Sequence, residues 1–600
     1  MGQRLTAVAH LTYDQRSTGG PGGQPPGPSS LARTLRGMRR LEPLLVLLGY
    51  VLGSVVLIGR FVLQAPRDSV VGSFGGDQGF FAWSLVHWVE VVAGNQSPFL
   101  TDRIDAPMGF NLAWATTIPG PALLFAPLTA LAGPLVTHNT LAIAAPALAA
   151  WTAYLLCRHI TQDSLAAILG GWIFGFSSYL LGQTLNHLNL ALVAALPLIV
   201  LVVIRLVEQS IRPGRGVLAL AGLIALQFLI FTEVAATATV VGSLAILAAI
   251  AIGPSELRGR ILRTLPLIVA GYALAVAIIS PLLLAALLHP NPINDRIRPD
   301  LYPLDLKNLV VPTVITWVGG ARFQADSLQF VGNLTEQLAY LGPLLVLAAL
   351  GGIWRWRHER FVWVIVVTTV AAILLSFGSH LTISGDAYWS MPWQIFTHLP
   401  LIQLALPTRI VVYAWLGLAL LGALFVTRRR GDRLPWYAAR LGLLVVALIC
   451  LLPTPRADLW RTDLETPPGI QDATATAAIP DDAIVLILPY SFRGNGMYWQ
   501  ALAKMRYRMA GGYSAAAVPL AYTQFPAVTG FYNEQLPANP RQELLRYLAF
   551  TGTSWVLVDA KHPGPWAPFL REAGGVRSEV GGVVRYRFDP VVVRAQVDGA

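Results

Sequence analysis

The chain is a series of long apolar runs separated by short polar breaks. Apolar runs of about 17–25 residues are long enough to cross the hydrocarbon core of a bilayer as helices. About eleven are found, at 43–63, 138–157, 164–182, 188–204, 217–235, 236–252, 265–287, 337–354, 361–378, 407–427 and 437–453. A further stretch, 119–136, is broken by Pro119, Pro121, Pro127 and Pro134, with Gly120 and Gly133 beside them. Positive residues decide whether it crosses, because cytoplasmic loops collect Lys and Arg. If 119–136 does not cross, one side receives Arg158, Arg205, Arg212, Arg215, Arg258, Arg260, Arg263, Arg355, Arg357, Arg360, Arg428 to Arg430 and Arg433, together with the Arg-rich amino terminus. If it crosses, nearly all of them invert. It is therefore expected to be a re-entrant or surface-lying hairpin on the outer side. There its irregular backbone must pack against protein or line a cavity.

Beyond Pro453 the pattern changes. Residues 454–480 are rich in Thr, Ala, Asp and Pro and read as a linker. Ala483 to Leu488, Ser554 to Asp559 and Gly582 to Phe588 read as strands, and Leu544 to Phe550 and Pro565 to Ala573 as short helices. The expected fold is mainly α: a polytopic transmembrane bundle over 43–453, with outer loops 64–137 and 288–336. A small α/β extracytoplasmic domain follows over 481–600. Residues 1–42, with a Gly/Pro/Ser stretch from Thr18 to Ser30, are expected to be a disordered cytoplasmic tail. The inner loops hold little but arginine, so any chemistry is expected on the outer side.

Composition supports lipid as the solvent. Apolar residues make up 54% and charged residues 12%, against about 25% charged in ordinary soluble domains. The net charge of +11 is carried by Arg clusters between apolar runs. That pattern fits membrane orientation and makes nucleic acid an unexpected partner. Cys157 and Cys450 lie inside apolar runs and read as small hydrophobes, with no spacing for a disulfide framework or a zinc site.

The first outer loop contains Gly75-Gly76-Asp77-Gln78-Gly79 and then an aromatic helix. Phe81, Leu85, Trp88 and Val92 share one face of that helix, and Trp83, Val86 and Glu90 form a second row. A helix of this kind suits the interface plane of a membrane. Asp77 at its start reads equally as an N-cap or as a catalytic carboxylate. Asp102, Asp105 and Asn111 follow in the same loop, where ordinary solvation, or pairing of Asp102 with Arg103, accounts for the carboxylates equally well. His187 is placed at the outer mouth of a helix, where most histidines are structural. Glu233 nearly closes a span, and an ionisable group at that depth is a functional candidate. The loop 288–336 offers Asn294, Asp295, Arg296, Arg298, Asp300, Asp305, Lys307, Arg322, Asp326 and Glu336, most of them suited to a solvated face. Glu336 is expected to open the next helix, where its charge suits the amino terminus. Arg409 sits at the outer start of a span, against the inside bias, and there suits a lipid phosphate or ordinary headgroups.

This arrangement resembles the GT-C glycosyltransferases, which use polyprenyl-phosphate sugars. The resemblance is to a poorly characterised bacterial branch with a Pro-x-Gly-x-Asn-Leu loop, here Pro107 to Leu112. That branch also has a Glu-x-x-x-Tyr-Leu-Gly step, here Glu336 to Gly342, and a late Pro-x-Arg, here Pro407 to Arg409. It covers about residues 40–590. It implies an inverting transfer in the outer leaflet of a bacterial plasma membrane, from a polyprenyl-phosphate-linked donor to an envelope glycan, lipid or protein acceptor. Asp77 would be the general base. Asp102, Asp105, Asn111, His187, Glu233, Lys307, Glu336 and Arg409 would bind substrate, with Arg409 or Lys307 offsetting the phosphate charge. The superfamily often carries a paired acidic motif in this loop. Here Gln78 follows Asp77, which leaves dependence on a divalent cation open. Two rival readings remain: a transporter or flippase of a lipid-linked glycan, and a non-catalytic scaffold in envelope assembly. No internal repeat of the transporter kind is found in the sequence.

Overall fold

The computed structural model describes residues 30–74, 76–291, 293–295, 302–399, 402–514 and 517–599. The chain is mainly helical. Among the described residues, seven helices are long and apolar enough to cross a membrane: Pro134–Thr161, Ser164–Gln183, Leu188–Val207, Pro213–Ile230, Thr232–Ile252, Ser255–Leu288 and Pro407–Val426. Four shorter apolar helices accompany them, at Leu41–Leu57, Pro343–Trp356, Arg360–Ser376 and Leu434–Cys450. Pro407–Val426 is enclosed on almost every side, whereas Thr232–Ile252 and Ser255–Leu288 turn most of their apolar surface outward. Helix ends follow local chemistry. Asp163 accepts from the Ala166 amide at 3.2 Å and so caps Ser164–Gly175, satisfying one of the amides that a helix start leaves unpaired.

Several boundaries differ from the hydropathy reading. The first described helix begins at Ser30, within the stretch expected to be tail, while residues 1–29 lie outside the described residues. The 119–136 stretch folds as two short helices, Pro119–Leu124 and Ala126–Ala132. At about 1.5 Å per residue neither can span a bilayer. The break between the fifth and sixth runs falls at Phe231, so Glu233 lies in the first turn of Thr232–Ile252 and does not close the helix before it. Glu336 does not open a helix either. It ends the turn Leu334–Glu336, and the next helix starts at Pro343 after an extended stretch, because Gly342 and Pro343 set the start there.

The carboxy-terminal part contains a five-stranded sheet in the order Val576–Val580, Val583–Arg587, Trp555–Asp559, Ile484–Leu488, Arg508–Met509. Trp555–Asp559 runs parallel to Ile484–Leu488, with Trp555 opposite Val485. Its side chains alternate between faces, as the pleat requires. Leu486, Leu488, Val556 and Val558 face a core that includes Leu544, Tyr547 and Phe531. Val485, Ile487, Trp555 and Leu557 face the other way, onto Phe80, Trp83 and Ile104 of the segment 64–137.

The helix Gly76–Val92 is therefore held between two protein cores. Phe81, Leu85 and Trp88 enter the bundle core, and Phe80, Trp83 and Val86 enter the core under the sheet. Everything from Gln78 to Trp88 is buried. The two rows seen in the sequence are real, but protein covers both as far as Trp88, where the helix was expected to lie in a membrane interface; Val92 at its end is exposed. The stretch 454–480 is likewise packed. Trp460 is fully buried, and Arg461–Asp463 pairs antiparallel with Ser69–Val71.

Candidate functional site

Asp77 lies in the first turn of Gly76–Val92. The loop leading into this helix is pressed against the turn 184–187. Gly72, at φ +81°, approaches so closely that a Cβ there would lie 1.9 Å from the Leu185 carbonyl oxygen, a position only glycine can fill. The buried Gln78 amide donates to the carbonyls of Val71 (2.8 Å) and Leu185. Gln78 thus clamps two loops, and it brings the mouth of Ser164–Gln183 beside Asp77.

The Asp77 carboxylate has two neighbours. Oδ1 accepts from the Tyr513 hydroxyl at 2.5 Å. Oδ2 lies 3.5 Å from His187 Nε2, with the Asp77 side chain 31% exposed and so reachable by a substrate. Burial, and then the Asp77 charge, raise the Tyr513 pKa well above the ordinary value, so the phenol stays protonated and remains a donor. His187 is buried and its Nδ1 donates to Gln183 Oε1 at 2.7 Å. Burial lowers its pKa, opposed by the charges of Glu336 and Asp77 and reinforced by that of Arg409. The ring is therefore neutral at pH 7.

Behind His187 stands a buried ion triad. Glu336 Oε1 is 3.9 Å from His187 Nδ1. It accepts from Arg409 Nε at 3.0 Å and from Nη2 at 2.6 Å. Arg409 Nη1 donates to Glu233 Oε2 at 2.8 Å, and Glu233 Oε1 accepts from the Leu406 amide at 3.1 Å. Asp77, His187, Glu336, Arg409 and Glu233 thus form one continuous chain of contacts. Tyr179, one turn before Gln183, buries its hydroxyl close by without a hydrogen-bond partner.

Not every candidate takes the role expected of it, and several lie away from this chain of contacts. Arg409 was expected to face a phosphate or headgroups, but it is engaged by two carboxylates, because a guanidinium this deep needs full pairing. Lys307 lies 3.8 Å from Asp326 and is 41% exposed. Asp102 pairs with Arg103 (3.6 Å) and Arg508 (3.2 Å), which ties the loop to the sheet region. Asp105 is buried at the same seam, its amide donating to the Gly511 carbonyl at 2.8 Å, and burial raises its pKa to about 7. The Asn111 amide donates to the carbonyls of Ala285 (2.8 Å) and His289 (2.6 Å), so it anchors the end of Ser255–Leu288. Arg296, Arg298 and Asp300 lie outside the described residues, and of Asn294 and Asp295 only the backbone is described.

A divalent cation does not fit these residues. Among the described residues no three His, Cys, Asp or Glu side chains are grouped to hold one. Asp77 Oδ1 is taken by Tyr513, and the Gln78 side chain serves the loop clamp. Tyr513 is absent from the sequence-based candidates, since nothing in the sequence links two residues 436 positions apart. Gln183 and Tyr179 are likewise absent from those candidates.

Residues 46–452 match the model of a family described as "Domain of unknown function (DUF6311)". No curated protein matches the chain in sequence. Among solved structures it is similar to the arabinofuranosyltransferase AftD from Mycobacteria, with a TM-score of 0.56 and 14% identity over 90% of this chain. That match covers 39% of AftD, so the chain spans about two fifths of its length. It is also similar to the oligosaccharyltransferase of Archaeoglobus fulgidus, with a TM-score of 0.51 and 12% identity over 87% of this chain and 70% of the other. The fold is that of the GT-C membrane glycosyltransferases.

Proposed function

We propose that this chain, which belongs to the DUF6311 family, is a membrane glycosyltransferase. It moves a sugar from a polyprenyl-phosphate donor to an envelope glycan, lipid or protein acceptor. The observation that carries this reading is the partly exposed Asp77 carboxylate, supported by Tyr513 and His187 within a GT-C fold. Asp77 takes the proton of an acceptor hydroxyl. The freed oxygen attacks the anomeric carbon opposite the phosphate, the carbon–oxygen bond to phosphate breaks, and the configuration inverts. A positioned base of this kind contributes about 10²–10⁴-fold, and alignment of donor and acceptor contributes further. Because Glu233 and Glu336 already neutralise Arg409, the lipid phosphate is met by other groups.

The chain sits in the bacterial plasma membrane with eleven crossings, the seven long and four shorter apolar helices. Its amino terminus is cytoplasmic, and everything after the helix Leu434–Cys450 is outside. Two features support this orientation. All five residues of the contact chain come from segments that the arginine pattern assigns to the outer side. The pairs Arg158–Glu42, His159–Glu208 and Arg355–Asp432 come from segments assigned to the inner side.

The test is transfer by purified protein in lipid, with a panel of polyprenyl-phosphate sugars and the variant Asp77→Asn alongside. Loss of transfer in a variant that still folds and binds donor is the expected result. Full transfer by Asp77→Asn would remove Asp77 from the chemistry, and no transfer by either protein would favour a transporter or a scaffold.

A further inference from the structure

The contact chain behind Asp77 contains a group the transfer scheme leaves unused. His187 Nδ1 holds its proton against Gln183 Oε1 at 2.7 Å. The neutral ring then carries no proton on Nε2, and that lone pair faces Asp77 Oδ2 at 3.5 Å. Bonds of this kind are commonly long before substrate arrives and tighten in the complex. The charged groups facing the ring are Asp77 from Gly76–Val92, Glu336 from Leu334–Glu336 and Arg409 from Pro407–Ile410. Glu336 Oε1, 3.9 Å from Nδ1, offers the negative charge that an imidazolium would need. Glu336 is in turn held in place by Arg409.

We propose that His187 is the proton acceptor behind Asp77: it takes from the carboxylic acid the proton that Asp77 removes from the acceptor, and so returns Asp77 to its basic form. This rests on the transferase reading. In the first step the acceptor O–H bond breaks and an Asp77 O–H bond forms as the hydroxyl oxygen attacks. In the second the Asp77 Oδ2–H bond breaks and a His187 Nε2–H bond forms, leaving a carboxylate and an imidazolium. The imidazolium releases its proton to water when product leaves. His187 acts through Asp77 and is a positioning and relay residue, and Glu336 supports its charged form.

Two measurements test this. The first is the nitrogen-15 spectrum of His187 in the lipid-reconstituted protein, which needs no substrate. A ring protonated at Nδ1, with an apparent pKa that falls further in Asp77→Asn as the neighbouring negative charge is removed, is expected. A ring protonated at Nε2 overturns the relay. The second is the kcat–pH profile of His187→Gln beside the wild type. A protonated ring cannot accept, so wild-type activity is lost as pH falls through the His187 pKa, which burial holds below the ordinary value of about 6.5. His187→Gln should bind donor normally, lose at least about tenfold in kcat, and lack that step of the acid limb. An unchanged kcat and profile overturns the proposal. A wild-type protein inactive on every donor overturns the transferase reading, while the spectrum still reports whether ring and carboxylate are coupled.

Discussion

Two residues at the site define how its charges behave. The Tyr513 hydroxyl bonds to the ionised form of Asp77, and a donor to a carboxylate favours its charge. Tyr513→Phe removes that donor and leaves the carboxylate without its fixed partner. Losing a hydrogen bond to a charged group costs about 1.5 kcal/mol, so kcat should fall by roughly tenfold while donor binding is unchanged. Arg409 presents the opposite case, a cation between two buried carboxylates. Arg409→Met leaves Glu233 and Glu336 facing each other without a counter-charge and should destabilise the protein by about 3–5 kcal/mol, read as a fall in the unfolding midpoint in detergent. Adding Glu233→Gln and Glu336→Gln should recover much of that loss, since a buried triad replaced by neutral groups of similar size costs little.

The seam between the segment 64–137 and the sheet is where element-scale behaviour shows. Asp105 is buried there with its pKa raised to about 7, against about 3.9 in an unfolded chain. The folded state therefore holds the proton more tightly. The stability it contributes is fully present below about pH 4 and is lost as pH rises through about 7. Proteolytic cutting of the loop should accordingly increase between those limits, and Asp105→Asn should flatten the dependence. Helix positions were legible in the sequence because a bilayer demands long apolar runs, and the strand patterns of 483–488, 554–559 and 582–588 match observed strands to within a residue or two. The strand Val576–Val580 was not legible, since four of its five residues are exposed and no apolar face marks it. Asp77, His187, Glu233, Glu336 and Arg409 could be chosen singly, as polar residues in apolar surroundings. Their joining could not be read, because each contact spans from tens to hundreds of positions. Asp102, Asp105 and Asn111 looked alike in the sequence and prove to hold the loop to its neighbours.

At the scale of the whole molecule, the arginine pattern and the contact chain describe the same axis from opposite ends. Single cysteines introduced after removal of Cys157 and Cys450 test it directly. A cysteine at Arg430 should react with a membrane-impermeant reagent only after the membrane is opened, and one at Glu534 should react in intact cells. The reverse pattern would turn the site toward the cytoplasm. The link from Tyr513 to Asp77 also bears on biogenesis. In the proposed orientation the helix Gly76–Val92 reaches the outer side during synthesis before the sheet that packs on Phe80 and Trp83 has been made. Until Tyr513 arrives, the carboxylate lacks its phenol donor and half of its helix has nothing to pack against. A chain that stalls or is cut before Tyr513 and the strands after it are made therefore leaves the Asp77 site unfinished, so the site matures only when this late segment joins the helix.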